Sequence, residues 1–268
     1  MLKRTVQQLV QCQRRVRNYF LLDATTDALV RLGSANGGWW LPARLLKAGA
    51  IAVCAGAGED ITFDISLVER GMTVYTVDPT PRAVAHVAAV LKSLQPESAG
   101  IVEGLNYRYY AKSGFDGGRF MFTPVGLWSQ RERVKFFAPS NPDHVSHSVV
   151  NLQRTKHYFL ADCLPLRDFM ASKGIERVDI LKLDIEGAEY AVLEQMVTDR
   201  ILPDCLLVEF DEGHYVDRFD RKQFMETIRM LKKHRYDLVK IAKWNFTFVR
   251  TDAAVSPRSR PMRPRRPT

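Results

Sequence analysis

V-D-I-L-K-L-D-I-E-G-A-E-Y, residues 178–190, is the stretch that decides the fold. Residues 178–184 read as a strand that ends on an acid, and residues 186–196 read as a helix. Gly187 permits the sharp turn between them, and Glu186 and Glu189 lie near the positive end of the helix. Capping alone accounts for one of these acids. In a doubly wound sheet, ligands bind outside the carboxyl ends of the strands. Asp184 and Glu186 are therefore placed at a reaction centre.

The same rhythm extends outward. I-A-V-C-A (51–55) is a continuous apolar run, expected of a strand buried on both faces of a parallel sheet. G-A-G-E-D follows, then helical spacing at Ile61, Ile65 and Val68, closed by Gly71. T-V-Y-T-V-D (73–78) predicts a second strand, and D-P-T-P opens a second helix with Pro81 in its first turn. F-M-F-T-P-V-G-L-W (120–128) and V-K-F-F-A (134–138) predict strands around a turn, and 139–157 a loop. Beyond the deciding stretch, C-L-L-V-E-F (205–210) is another buried strand and 220–235 a helix. D-L-V-K-I-A (237–242) and W-N-F-T-F-V (244–249) then form a terminal antiparallel pair. The expected fold class is α/β, a doubly wound Rossmann-like class I methyltransferase sheet with an antiparallel C-terminal strand pair. A plain dinucleotide fold ends on a parallel strand instead.

The turn after the first strand points to the cofactor. Gly56 and Gly58 let a ligand approach the backbone closely, and Asp78 ends the neighbouring strand, suited to ribose hydroxyls. Ile61 occupies the third glycine position of the dinucleotide pattern, and Glu59 and Asp60 repel a pyrophosphate. A ligand with a sulfonium and an ammonium tolerates them. S-adenosylmethionine is thus favoured over a nicotinamide nucleotide, with Gly56, Gly58, Glu59, Asp60, Asp78 and Pro79 as its binding residues.

D-I-L-K-L-D-I-E-G-A-E-Y resembles the signature of the FkbM family of S-adenosylmethionine-dependent methyltransferases. G-A-G-E-D-I-T-F-D (56–64) and D-P-T-P (78–81) resemble its first two cofactor motifs. G-G-W-W-L-P before the first strand and L-L-V-E-F-D-E also match, so the resemblance covers about residues 37–250. It implies methyl transfer to a hydroxyl, commonly of a sugar or natural product. Oxygen as the acceptor atom comes from the resemblance and not from spacing.

Methylating a hydroxyl requires the oxygen to be placed in line and its proton to be accepted. Asp184, Glu186, His144 and His147 are candidate bases. A histidine titrates near neutrality, which favours His147 in D-H-V-S-H-S, on a loop suited to close over the pocket. Trp39, His144 and Glu209 are candidate substrate contacts, although core packing is the plainer account of Trp39. Asp184, Glu186, Glu209 and Asp211 end neighbouring strands and also admit a magnesium ion, which their spacing does not demand. Two other readings have weaker support: an NAD(P)-dependent Rossmann oxidoreductase, and an RNA-modifying methyltransferase that uses the basic ends.

The chain has 268 residues and a net charge of +9. Residues 1–20 and 256–268 each carry five basic residues and no acid, so the body is close to neutral. The tyrosines around Arg108 suggest base stacking, but without a basic stripe beside them nucleic acid is not an expected partner. The expected partner is a small-molecule or glycan hydroxyl. The sequence divides into an N-terminal helical extension (1–36), a methyltransferase domain (37–252) and a disordered basic tail (253–268) rich in proline. One or two helices are expected within residues 5–32, and a short helix over 42–48. Four cysteines lie far apart, without a C-x-x-C pair, and no stretch is long and apolar enough to span a membrane. A cytoplasmic protein is expected.

Overall fold

The computed structural model describes residues 21–95, 97, 102–103, 108–109, 115–140, 147–151, 154–210 and 219–252. In chain order the first strands are β1 (Leu29–Leu32), β2 (Trp39–Pro42) and β3 (Ile51–Ala55). Helix α1 (Thr62–Val68), strand β4 (Thr73–Val77) and helix α2 (Pro81–Ser93) follow. Next come β5 (Val102–Glu103), β6 (Arg108–Tyr109), β7 (Phe120–Thr123), β8 (Gly126–Leu127), β9 (Glu132–Phe137) and β10 (Tyr158–Leu164). Helix α3 (Leu166–Lys173), β11 (Ile180–Leu183), α4 (Glu189–Thr198) and β12 (Cys205–Glu209) continue the alternation. Helix α5 (Arg221–Lys233), β13 (Tyr236–Ala242) and β14 (Asn245–Arg250) complete it.

Among the described residues the central sheet has seven strands in the order β13-β14-β12-β11-β3-β4-β7. β3, β4, β7, β11 and β12 are parallel, whereas β14 runs against both β12 and β13. This is the expected doubly wound sheet with its antiparallel ending. β11 is buried along its whole length and β3 from Ala52 onward, because their apolar side chains serve both faces. Val53, Ala55, Leu181 and Leu183 meet α3, α4 and α5 through Phe169, Leu193 and Phe224. Ala52, Cys54 and Ile180 face the other way, onto Trp39, Leu41, Phe63 and Val87. The strand order reverses between β3 and β11. The crevice at their carboxyl ends is where such sheets bind ligands.

Three expectations change. Leu29 and Leu32, assigned above to a helix, lie in β1, which pairs antiparallel with β2 across the boundary placed at residue 36. Residues 42–48 contain only a 3-10 turn, Ala43–Leu45, because Trp39–Pro42 are extended. Residues 120–128 are not one strand. Pro124, which lacks an N–H, separates β7 in the main sheet from β8 in a second sheet of order β8-β10-β9. β9 pairs with β10, a strand whose mixed exposure hid it from the periodicity reading. Residues 1–20 of the N-terminal extension and the tail from 253 lie outside the described residues.

Candidate active site

The turn after β3 is shaped by contact with the next strand. Gly56 has φ +88°, and a Cβ there would stand 1.7 Å from the Asp184 carbonyl oxygen, so no side chain fits. Gly58 has φ +50° with open space where its Cβ would be. Asp78, only 6% exposed, holds this turn. Its Oδ2 accepts from the Ala57 and Gly58 amides at 2.9 and 3.0 Å. Its Oδ1 accepts from the Thr80 amide and hydroxyl at 2.8 and 2.7 Å. The carboxylate expected to bind ribose thus already accepts two protein donors on each oxygen.

The other two acids of the turn are also engaged. Glu59 forms a two-point ion pair with Arg82 at 3.0 and 3.1 Å, on the first turn of α2. Asp60 accepts from the Thr62 amide and hydroxyl and from the Ser34 hydroxyl, which ties the β1–β2 loop to the start of α1.

After β11 the chain makes a strained turn. Glu186 sits in the left-handed region at φ +55°, followed by Gly187 at +104°. Glu189, fully buried, holds the turn by accepting from the Ile185 and Gly187 amides, both at 2.8 Å. The Ser148 hydroxyl contacts the Glu186 carbonyl oxygen, so residues 147–150 are fastened across this turn. Ser148 also bridges to Phe137 at the end of β9.

These elements enclose a cavity of about 200 Å3. The turns after β3, β4 and β11 form its floor, and β8, Phe136, His147 and Val149 its roof. Gly56, Gly58, Glu59, Asp60, Asp78, Pro79, Asp184, Glu186 and His147 all line it. The His147 ring packs edge-on against Phe159 at 5.2 Å. Trp39 and Glu209 do not line it. Trp39 is 1% exposed and belongs to the core, and Glu209 ends β12, paired through its backbone with Asn245. His144 lies outside the described residues, as does Asp211.

Sequence reading passed over two charged residues, Lys182, which lines the cavity, and Asp64, buried near it. The buried Lys182 ammonium donates to the Gly56 carbonyl at 2.6 Å and lies 3.1 Å from Asp184 Oδ2. Asp64 on α1 is also buried and accepts from the Thr76 hydroxyl at 2.5 Å. Burial raises the Asp64 carboxyl above its ordinary range, opposed by Lys182 and Thr76. Burial by itself lowers the Lys182 ammonium, but Asp184 and then Asp64 outweigh it and hold it above its usual value. The signal was present as a lysine inside an otherwise apolar buried strand and an acid on the apolar face of α1.

Magnesium finds no support. Among the described residues no group of three or more His, Cys, Asp or Glu side chains is placed to hold a metal. Asp184 already faces an ammonium. Among the described residues no helix is long and apolar enough to cross a membrane.

The model of the Methyltransferase FkbM domain matches residues 53–238. No protein of curated function matches the chain. Similar solved structures include magnesium protoporphyrin IX methyltransferase (ChlM) from Synechocystis PCC 6803 with bound SAM. It is 11% identical at a TM-score of 0.37, covering 77% of this chain and 72% of that one. The pre-rRNA processing protein fibrillarin of Methanococcus jannaschii is 9% identical at a TM-score of 0.41, covering 84% and 82%.

Proposed function

The chain belongs to the FkbM methyltransferase family, and from that premise we propose that its cavity takes S-adenosylmethionine and methylates a hydroxyl of a small molecule or glycan. The observation that carries the reading is the acid-lined cavity at the switch point between β3 and β11. The residues present fit this cofactor. A side chain at Gly56 would run into the Asp184 carbonyl, so bare backbone lines the cavity there, and Gly56, Gly58, Glu59, Asp60, Asp78 and Pro79 would hold the ligand. Carboxylates lining the cavity suit a ligand that carries cationic groups, whereas a pyrophosphate would be repelled.

When bound, S-adenosylmethionine supplies an electrophilic methyl group with its own leaving group, so the chain needs no nucleophilic side chain. What the chain must do is orient the acceptor hydroxyl and remove its proton. Asp184 and Glu186 on the floor accept hydrogen bonds from the acceptor and fix its direction. Asp184 is already engaged by Lys182, so the proton passes to the imidazole of His147 on the roof. Roof residues Phe136 and Val149 exclude water from the same space.

Two measurements test the reading. Calorimetric titration with S-adenosylhomocysteine should give binding to the wild type that is lost or strongly weakened in Asp78→Ala. Labelled methyl transfer to a panel of glycosides and hydroxylated natural products should yield ethers stable to mild base. Transfer to nitrogen or to a carboxylate would refute hydroxyl specificity.

A further inference from the structure

Lys182 sits where the two halves of the cavity meet. Its side chain is 4% exposed on the central strand β11. One contact of its ammonium is the Gly56 carbonyl, in the turn after β3, and another is Asp184 Oδ2, at the end of β11. The backbone brings the same two ends together. The Asp184 amide donates to the Ala55 carbonyl at 3.1 Å, next to Gly56, whose own amide is turned to the other neighbour, β4, and donates to the Val77 carbonyl at 2.9 Å. Asp64 and the Cys54 thiol also face the ammonium, and the Trp39 ring lies 5.8 Å from it. A methionine would fill this volume without the desolvation that a buried ammonium suffers. The charge therefore has a use beyond packing.

We infer that Lys182 is a positioning residue that ties the cofactor turn at Gly56 to the carboxylate of Asp184, holding the cofactor and acceptor sides of the cavity in one geometry. The inference rests on the cofactor reading above. The tie acts through its two ends: it fixes the direction of the Gly56 peptide, and it fixes the rotamer of the Asp184 side chain.

The test compares binding with stability. Lys182→Met alone would leave Asp64 buried beside no cation, so Asp64→Asn serves as the background, in which an amide oxygen still accepts from Thr76. Wild type, Asp64→Asn and Asp64→Asn/Lys182→Met are titrated with S-adenosylhomocysteine, and their melting temperatures are recorded. Asp64→Asn is expected to bind within about threefold of the wild type, and the double variant about tenfold or more weaker, as for a small misplacement of site groups. Asp184→Asn removes the ion pair from its other end and should also weaken binding; because it leaves the buried ammonium one carboxylate short, its melting temperature should fall as well. Variants that melt lower yet bind like Asp64→Asn would show that Lys182 only supports the fold, and would overturn the inference. Equal affinity in all four proteins would overturn it as well, with the cofactor reading intact. A wild type that does not bind overturns both.

Discussion

Replacing Asp78 by asparagine probes the cofactor turn with the smallest change of shape. The buried carboxylate accepts from the Ala57 and Gly58 amides on one oxygen and from the Thr80 amide and hydroxyl on the other. Asparagine offers one oxygen and one NH2. With its oxygen toward Ala57 and Gly58, its NH2 meets Thr80, whose hydroxyl can rotate to accept but whose amide cannot. One buried donor then faces a donor, which costs about 1–3 kcal/mol. The remaining bonds lose the charge that makes them roughly twice as strong as neutral ones. The opposite orientation sets two amides against the NH2 and is worse. The net expectation is a loss of about 3 kcal/mol, of the size found when a buried hydrogen-bond network is broken. At about 2–4 °C per kcal/mol for a domain of this size, the melting temperature should fall by about 10 °C. Asp78→Ala orphans all four donors and should fall further. Calorimetric or circular-dichroism melting measures both, and urea titration checks the free energy independently. An Asp78→Asn protein melting within about 2 °C of the wild type would refute the reasoning.

Three further outcomes follow from the roof. A Cβ on Gly126 would stand 2.6 Å from Cys163 Sγ and 3.2 Å from Phe136. Gly126→Ala should therefore cost about 1–3 kcal/mol, and less in a Cys163→Ala background, so strict additivity in a double-mutant cycle would contradict the packing. Burial pushes the Cys163 thiol from 9.0 up to about 11. Above pH 9 the unfolded thiol releases a proton that the folded one keeps, so stability falls as pH rises from 9 to 11, by about 1.4 kcal/mol per pH unit from this group. Urea unfolding of Cys163→Ala should decline less steeply over that window, and parallel profiles would exclude the effect. Once an acceptor is known, His147→Ala should transfer methyl groups about 10²–10⁴ times more slowly with S-adenosylhomocysteine affinity unchanged, and a full rate would remove His147 as the base.

Much of the fold was legible because its central strands are local statements. I-A-V-C-A, I-L-K-L and C-L-L-V-E are each too apolar to sit anywhere but between two helical layers, and the glycines at 56, 58, 71, 174 and 187 all take positive φ. The second sheet was not legible in the same way. β10 alternates exposed Tyr158, Leu160 and Asp162 with buried Ala161 and Cys163, and its partner β9 lies more than twenty residues earlier in the chain. β1 was misread as helix because four residues with two leucines fit either period.

The candidate site divides along the same line. The sequence by itself determined the positions of Gly56, Gly58, Asp78, Asp184 and Glu186, since a doubly wound sheet delivers the residue after each parallel strand to one edge. Only the tertiary structure decided what these residues do there. It gave the Asp78 carboxylate to backbone donors of the turn, removed Trp39 to the core and brought His147 over the floor. It also set Lys182 between Gly56 and Asp184. The reason is physical: a strand's alternation states which residues are buried, but whether a buried charge meets a carbonyl or a carboxylate depends on register and approach between strands that lie far apart in the chain.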